Sequence, residues 1–323
     1  MLANNNEAII NKLAKNSVKT NKKQYAILFF TIILSAFMLF CVFTIGMTYL
    51  NSSRLQNTRL NGAEYDIVTM NGFTSEQLNT LQQNENIRSV GIESYAGFIQ
   101  STEYDKTVEI GLLWCDEVFW DNLMSPARTK LDGHYPQNKN ELMVTKDILK
   151  TCGNENLSVG DSLILTYENN TGVYTDEFVI SGIWDGYGDT SAGFVSKAFY
   201  DETGYDLKNN GILCIKLNCN YVFPTTIQSI EKSLDFSDRQ IFAPTGYIEN
   251  SFKLLLGICG LALVICLSAY LLIYNILYLS VSGKIRYYGL LQSLGMTKKQ
   301  LVRFIIKQMI LVGILGIFIG NLL

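Results

Sequence analysis

The chain has 323 residues, is 48% hydrophobic and carries a formal net charge of −3. This length accommodates a domain of about 200 residues together with several membrane spans. The small net charge conceals a strong segregation, because residues 1–50 carry a net +4 and residues 252–323 carry seven basic side chains without an acidic one. Residues 51–251 carry 14 basic and 28 acidic side chains, a net of −14, which repels phosphate and excludes nucleic acid as a partner.

The chain begins with a basic leader, residues 1–24, which contains five lysines and the single acid Glu7. Residues 25–50 are uncharged and exceed the roughly 20 residues that one bilayer crossing requires. This apolar run is too long for the apolar region of a signal peptide, and no small-x-small cleavage site follows it. We therefore expect residues 25–50 to form a first transmembrane helix that is retained as an anchor.

Residues 51–251 alternate strand-like and helix-like patterns. A strand is expected at Glu64–Met70, and a short helix follows with a capping box formed by Thr74 and Gln77. Two strands joined by a turn are expected within residues 87–114, and a hairpin is expected around the turn sequence ENNTG. Because hairpins and helices are interspersed, the pattern predicts an α+β domain rather than a doubly wound sheet.

Two further apolar segments follow this domain. Residues 252–281 are uncharged from Leu254 onwards, and residues 301–323 carry charge only near their start, at Arg303 and Lys307. The long stems of those two side chains can reach a headgroup layer one or two turns away. We therefore expect three transmembrane helices, with the α+β domain inserted between the first and the second.

We call residues 282–300 the elbow. Their sequence pattern predicts a helix, a break and the start of a second helix. The first helix has an apolar face of four residues at positions i, i+3, i+4 and i+7: Tyr287, Leu290, Leu291 and Leu294. Gly295 is expected to end this helix in the left-handed conformation that glycine favours. Thr297 and Gln300 have the spacing of a second capping box.

Two lysines, Lys298 and Lys299, fall in the first turn of the helix that follows the break. Cations at this end oppose the helix dipole, so orientation or a partner, rather than helix stability, accounts for them. Periodicity alone leaves two interpretations equally open: a basic helix lying on the membrane surface, or a docking surface for a protein.

The third span contains three glycines near one helical face: Gly313, Gly316 and Gly320. Gly316 and Gly320 form a G-x-x-x-G motif, which lets a neighbouring membrane helix approach closely. Membrane helices are also rich in glycine in general, but we favour the packing interpretation.

Basic residues set the expected orientation. Five lysines precede the first span, and the elbow contains Lys284, Arg286, Lys298 and Lys299. The positive-inside rule places both segments in the cytoplasm and the α+β domain outside it. We therefore expect a multi-pass protein of the cell membrane with a cytoplasmic N-terminus and a large extracytoplasmic domain.

The elbow resembles the corresponding segment of the FtsX-like, or MacB-type, permeases of ATP-binding-cassette (ABC) transporters. The similar positions are Arg286, the GLL at 289–291, the LG at 294–295, and the run Thr297–Gln300 with its two lysines. The family often has an acid and an aliphatic residue before the first glycine, where this chain has two tyrosines. Weaker similarity extends to GHYPQNKNELMVTKDIL, VGDSLIL and FVISGIW in the middle of the chain.

This resemblance implies a MacB-like periplasmic core fold for residues 51–251 and a permease subunit that hydrolyses no ATP itself. A separate ABC ATPase would drive motion of the extracytoplasmic domain, to export or remove peptides, antibiotics or lipid-linked substrates. A second permease unit or a homodimer, membrane lipid, and a peptide or lipoprotein ligand are the other implied partners. Contact with the ATPase is implied for nine elbow residues: Arg286, Tyr287, Leu290, Leu291, Leu294, Gly295, Thr297, Lys298 and Lys299.

Members of the family have three spans after the domain, so residues 301–323 are expected to begin an incomplete FtsX-like region of a truncated or longer permease. No G-x-x-x-x-G-K-[ST] loop occurs, so ATP is expected to bind to a partner and this chain to hold no cofactor.

The single histidine, His134, is expected to pack or lie at the surface rather than bind metal. We expect no catalytic residue. The alternative hypothesis is a membrane-anchored receptor whose outer domain binds a peptide without ATP coupling.

Overall fold

The structure, a computed structural model, describes residues 7–100, 110–187 and 192–322. The chain divides into two compact units, which we call the helical unit (Met1–Tyr49 with Leu255–Leu323) and the sheet domain (Leu50–Leu254). The helices are α1 (Glu7–Thr20), α2 (Lys22–Asn61), α3 (Ser75–Gln82), α4 (Lys146–Thr151), α5 (Lys197–Tyr200), α6 (Leu207–Asn210), α7 (Pro224–Ser233), α8 (Gly246–Ser282), α9 (Ile285–Ser293) and α10 (Lys298–Leu322). The strands are β1 (Ile67–Met70), β2 (Ile87–Ile99), β3 (Ile110–Cys115), β4 (Arg128–Gly133), β5 (Glu141–Thr145), β6 (Ser162–Asn169), β7 (Gly172–Gly186), β8 (Ala192–Val195), β9 (Ile212–Leu217) and β10 (Ile241–Pro244).

Three helices in the described part of the chain are long and apolar enough to cross a membrane: α2, α8 and α10. The three predicted spans are therefore confirmed as apolar helices. Both α2 and α8 are longer than the apolar stretches within them. α2 continues through polar residues to Asn61 and ends where Gly62 adopts φ +70°, a backbone conformation that suits glycine after a helix.

Six strands of the sheet domain pair in a closed ring, in the order β2, β3, β8, β5, β7, β6 and back to β2. Two of these pairs, β3 with β8 and β5 with β7, are parallel, and the others are antiparallel. Each of the six strands contributes side chains to one buried cluster, which includes Leu112, Leu142 and Phe178. This mixed sheet with interspersed helices confirms the predicted α+β fold.

The remaining strands extend the sheet beyond this ring. β9 pairs with β2, β1 with β9, and β10 with β1, all antiparallel, and β4 pairs with β7. Beside β1 and β9, helices α3, α7 and the start of α8 bury a second cluster that includes Leu81, Ile230 and Ile248. Burial of such large side chains is the main favourable term in folding the domain.

The short-range elements predicted for this domain are present. Thr74 Oγ1 accepts from the Gln77 N–H at 3.2 Å, and Gln77 Oε1 accepts from the Thr74 N–H at 2.9 Å, which is the predicted capping box at the start of α3. β6 and β7 form the predicted hairpin, with Asn169 Oδ1 accepting from the Thr171 N–H at its turn. The predicted turn between β2 and β3 lies at residues 101–109, outside the described residues.

One buried lysine joins the segments that lead into and out of the sheet domain. Lys216 Nζ on β9 lies 3.1 Å from Glu64 Oε1 and 3.2 Å from Asp66 Oδ2. Asp66 also accepts from the Leu217 N–H through Oδ2, and its carbonyl oxygen accepts from the Thr245 N–H just before α8. Burial raises the pKa of Asp66, and Lys216 opposes that shift. The sequence pattern did not reveal this network, because its members are far apart in the chain.

The stability of the sheet domain is expected to depend on pH through Glu93 on β2. Burial raises the pKa of this carboxyl to about 7. Between the unfolded value near 4.3 and about 7, the folded state binds more protons, so the free energy of unfolding falls as pH rises through this window. We expect Glu93→Gln to match the native chain at pH ~4.5 and to gain relative stability of ~1 kcal/mol per pH unit up to about 7. Thermal unfolding of the full-length chain in detergent at several pH values measures this gain.

The exposed Glu155→Gln provides the control, since it removes the same charge from the surface of the same domain. Its unfolding temperature should follow that of the native chain at every pH. A constant difference between Glu93→Gln and the native chain across pH 4.5–8 would contradict the assignment.

Candidate partner-docking site

The elbow contains α9, and backbone hydrogen bonds within the elbow form the break that ends this helix. Gly295 has φ +98°, a left-handed conformation that side chains disfavour. The Gly295 N–H donates to the Gln292 carbonyl at 3.0 Å, and the Met296 N–H donates to the Leu291 carbonyl at 3.1 Å. These two bonds form a Schellman motif, so Gly295 ends the helix as predicted.

The next helix starts with the second predicted capping box. The Thr297 N–H donates to Gln300 Oε1 at 2.9 Å, and the Gln300 N–H donates to Thr297 Oγ1 at 3.3 Å. α10 then runs from Lys298, with Lys298 and Lys299 exposed in its first turn. Local hydrogen bonds therefore satisfy the backbone on both sides of the break, which holds the elbow in one shape.

The apolar face predicted for α9 is divided between two environments. Leu290 and Leu294 are 62% and 78% exposed, and Tyr287 is 43% exposed. Leu291 is half-buried and packs inward, although it belongs to the same predicted face. Tyr288, which the predicted face did not include, is buried. We call the exposed residues Tyr287, Leu290 and Leu294, together with Arg286, Lys298 and Lys299, the docking surface.

The inward side of α9 packs on a cluster that includes the N-terminal helix. Ile10 and Ala14 of α1, Tyr288 of α9 and Phe304 of α10 are all buried in this cluster. The leader was predicted only as a basic segment, and its helix was missed. A signal was present, because Ile10, Leu13, Ala14 and Val18 are spaced for one helical face among the lysines.

This arrangement gives the elbow one fixed side and one free side. α1 and α10 hold Tyr288 and Leu291, so α9 cannot rotate without breaking that packing. The opposite side presents two leucines one helical turn apart, flanked by cations. Such a surface suits a protein groove that is apolar at its centre and acidic at its edge.

The three glycines of α10 occupy different surroundings. A Cβ on Gly320 would lie 2.6 Å from the Ile33 carbonyl oxygen of α2, and one on Gly316 would lie 2.9 Å from Ile32 Cγ2. The backbones of α2 and α10 therefore approach closely at these two positions. Gly313 has no heavy atom within 4 Å of the position of a Cβ, so it takes no part in this contact.

No metal-binding group appears in the described ranges 7–100, 110–187 and 192–322, where no three His, Cys, Asp or Glu side chains are arranged to hold an ion. His134 is exposed, and its Nδ1 lies 3.0 Å from the Tyr135 carbonyl oxygen. All seven cysteines are free thiols, with Cys115 and Cys214 buried in the sheet domain.

Three apolar helices of spanning length, with an α+β domain between the first and the second, define a membrane protein with one large domain outside the bilayer core. Residues 259–323 match the family model of the FtsX-like permease C-terminal region. This segment holds most of α8, all of α9 and α10, and hence the whole elbow. The resemblance predicted from the sequence is confirmed for this segment, which is similar to FtsX-like permeases.

Three solved structures are similar to part of this chain. The periplasmic region of MacB from Actinobacillus actinomycetemcomitans aligns with 13% identity and a TM-score of 0.39, covering 60% of this chain and 95% of that one. A domain of a putative permease from Porphyromonas gingivalis aligns with 9% identity and a TM-score of 0.35, covering 56% of this chain and 89% of that one. The extracellular domain of the noncanonic ABC-type transporter YknZ from Gram-positive bacteria aligns with 12% identity and a TM-score of 0.36, covering 55% of this chain and 98% of that one. No curated protein matches the chain.

Packing of α1 against the elbow is expected to depend on Ala14, which is buried beneath α9 and α10. Ala14→Asp places a carboxylate in this apolar contact, so α1 should detach. Trypsin should then cleave at the α1 lysines at least about tenfold faster in the full-length chain, because cleavage follows local opening. Asn11→Asp adds the same charge on the exposed side of α1 and should leave the cleavage rate unchanged. Equal rates for the two variants would contradict the packing.

Close contact between α2 and α10 is expected to make Gly320 and Gly316 sensitive to substitution and Gly313 tolerant of it. Gly320→Ala forces its Cβ onto the Ile33 carbonyl oxygen and should destabilise the chain by ~1–3 kcal/mol. Gly313→Ala meets open space and should be neutral. Thermal unfolding of both variants in the same detergent gives the comparison. A loss of stability in Gly313→Ala as large as that in Gly320→Ala would rule out this contact.

Proposed function

We propose that this chain is the transmembrane unit of an ABC transporter, and that its elbow docks a separate ATPase and relays the motion of that subunit to the sheet domain. The observation that carries the proposal is the match of residues 259–323 to FtsX-like permeases, a segment that contains the docking surface. In this proposal a separate ATPase supplies the energy of ATP hydrolysis, which agrees with the lack of a phosphate-binding loop in these 323 residues.

The chemistry of the docking surface supports a protein partner. Leu290 and Leu294 expose enough apolar area that covering each of them contributes about 1.5–3 kcal/mol to binding. Arg286 precedes these leucines in the chain and Lys298 and Lys299 follow them, all three exposed, and cations at the edge of an interface select and steer an acidic partner. The ATPase surface that fits is therefore a groove with an apolar floor and carboxylates at its rim.

The packing around the elbow suits a rigid lever. α9 and α10 are capped on both sides of Gly295, and α1 holds the inner side of α9. A displacement of the docking surface therefore moves the ends of α8 and α10 as one body. α8 is one helix from Gly246 to Ser282, so in this proposal it carries the motion of the elbow towards the sheet domain.

The orientation follows from the charges. The leader and the elbow, both basic, would lie in the cytoplasm, and the acidic sheet domain would lie outside the cell membrane. This arrangement puts the docking surface in the compartment that contains ATP. In the full assembly the chain would work with a second permease unit, and the cargo would be a peptide, an antibiotic or a lipid-linked molecule.

A second candidate function, a receptor without ATP coupling, draws support from one cavity of the sheet domain. This cavity has a volume of about 590 Å³, and its lining combines aromatic and acidic side chains, among them Trp114, Trp120, Tyr135, Asp116 and Asp121. A few polar groups in an aromatic cavity of this size are typical of a ligand site. A receptor would keep its signalling activity when the docking surface is altered, whereas a transporter unit would lose its function.

Substitution of the docking leucines is expected to release the ATPase. Leu290→Asp or Leu294→Asp puts a carboxylate where the proposed groove is apolar, so each should reduce recovery of the ATP-binding subunit at least about tenfold. The tagged full-length chain is purified from its native host in mild detergent. The partner is quantified by photolabelling with an azido-ATP analogue and identified from a phosphate-binding loop in its sequence.

The matched control is Ile164→Asp, which makes the same kind of change at a residue of the sheet domain that is also well exposed. Recovery of the ATPase should be normal with this variant. If all three variants retain the same amount of ATPase, or if no ATP-binding subunit accompanies the native chain, the transporter assignment is wrong and the receptor is favoured.

A further inference from the structure

Two buried hydrogen-bond donors lie beside one tyrosine of the helical unit. Lys284 Nζ and Gln308 Nε2 are two of the seven buried side-chain atoms without a hydrogen-bond partner among the described residues. Lys284 Nζ lies 5.6 Å from the centre of the Tyr25 ring, and the Tyr25 hydroxyl donates to Gln308 Oε1 at 2.5 Å. Buried donors are nearly always paired in proteins, so two at one place indicate a missing acceptor.

These side chains come from two of the long helices, α2 and α10, and from the link that follows α8. Tyr25 is in the first turn of α2 and 7% exposed, Lys284 follows the end of α8, and Gln308 is on α10 and 2% exposed. Tyr25 also packs with Val18, Ile276 and Val312, so the place is walled by apolar groups. An acceptor bound here would touch the start of the first predicted span and the ends of the other two.

The helical unit offers no carboxylate that pairs with Lys284. Its sequence holds one acidic residue, Glu7, against eleven lysines and arginines, and no ion pair between Glu7 and Lys284 occurs in the described chain. Burial lowers the pKa of Lys284, which agrees with an ammonium that lacks a counter-ion. A buried cation without an anion is costly, and an external anion removes that cost.

We propose that Lys284, Gln308 and Tyr25 form a binding site for a phosphate group, supplied by the headgroup of an anionic phospholipid. The ammonium and the side-chain amide donate to the phosphate oxygens, and the Tyr25 hydroxyl occupies the amide oxygen of Gln308. A lipid is the source that fits the place, because the site joins apolar spans to a segment rich in lysine and arginine and poor in acids.

This site goes beyond the proposed transporter function and does not require an ATPase. Its effect is structural, since a bound phosphate would link Lys284, which follows α8, to Gln308 on α10. The stability of the helical unit should therefore depend on the lipid composition of the membrane.

The test uses the full-length chain in nanodiscs of phosphatidylcholine alone or with about one quarter phosphatidylglycerol. Phosphatidylglycerol should raise the unfolding temperature of the native chain, and native mass spectrometry should detect a retained phosphatidylglycerol molecule. Lys284→Met and Gln308→Leu should abolish the temperature increase and reduce the retained lipid about tenfold. In phosphatidylcholine alone, whose phosphate is neutralised by its own choline, Lys284→Met should be at least as stable as the native chain, because it removes a buried charge that no carboxylate compensates.

Lys12→Met is the matched control, because it removes the same charge from the exposed side of α1. It should respond to phosphatidylglycerol as the native chain does. A further arm adds inorganic phosphate to phosphatidylcholine nanodiscs: stabilisation there that depends on Lys284 supports the phosphate site and makes free phosphate the source. Equal responses of the native chain, Lys284→Met and Gln308→Leu to both additions would overturn the proposal.

Discussion

The break between α9 and α10 is the constraint on which the candidate site depends. A chain that turns between two apolar helices exposes backbone groups, which are costly near a membrane unless they are paired. Here Gly295 is left-handed, and the N–H groups of Gly295 and Met296 donate to carbonyls in the last turn of α9. Thr297 and Gln300 form hydrogen bonds with each other. Because these bonds fix the direction of α9, they also decide which of its side chains face α1 and which remain exposed.

Features that depend on neighbouring residues were predictable from the sequence. The capping boxes at Thr74 and Thr297 and the helix end at Gly295 each involve residues within five positions, so a short pattern contains all their information. The orientation of Leu291 could not be predicted in this way. Periodicity groups it with Leu290 and Leu294, but the position of Phe304 and of the overlooked helix α1 draws it inward.

In the sheet domain, too, local features were predictable from the sequence and long-range pairings were not. Its strands follow from β-rich runs between turns, and the hairpin of β6 and β7 follows from its turn sequence. Closure of the ring follows from neither, because β6 also pairs with β2, and β3 lies parallel to β8, across long separations in sequence. Such pairings depend on how whole faces fit together, which local patterns do not encode.

Two lysines with buried ammonium groups show how the segregation of charge shapes both units. Lys216 lies in the acidic sheet domain, where Glu64 and Asp66 compensate its charge within the chain. Lys284 lies in a unit with a single acidic residue, and no carboxylate compensates it. The same unit exposes Leu290 and Leu294 in a segment that also exposes three cations, Arg286, Lys298 and Lys299. The acidic sheet domain therefore supplies the counter-ions of its own buried lysine, whereas the anion and the apolar partner proposed for the helical unit would come from its surroundings.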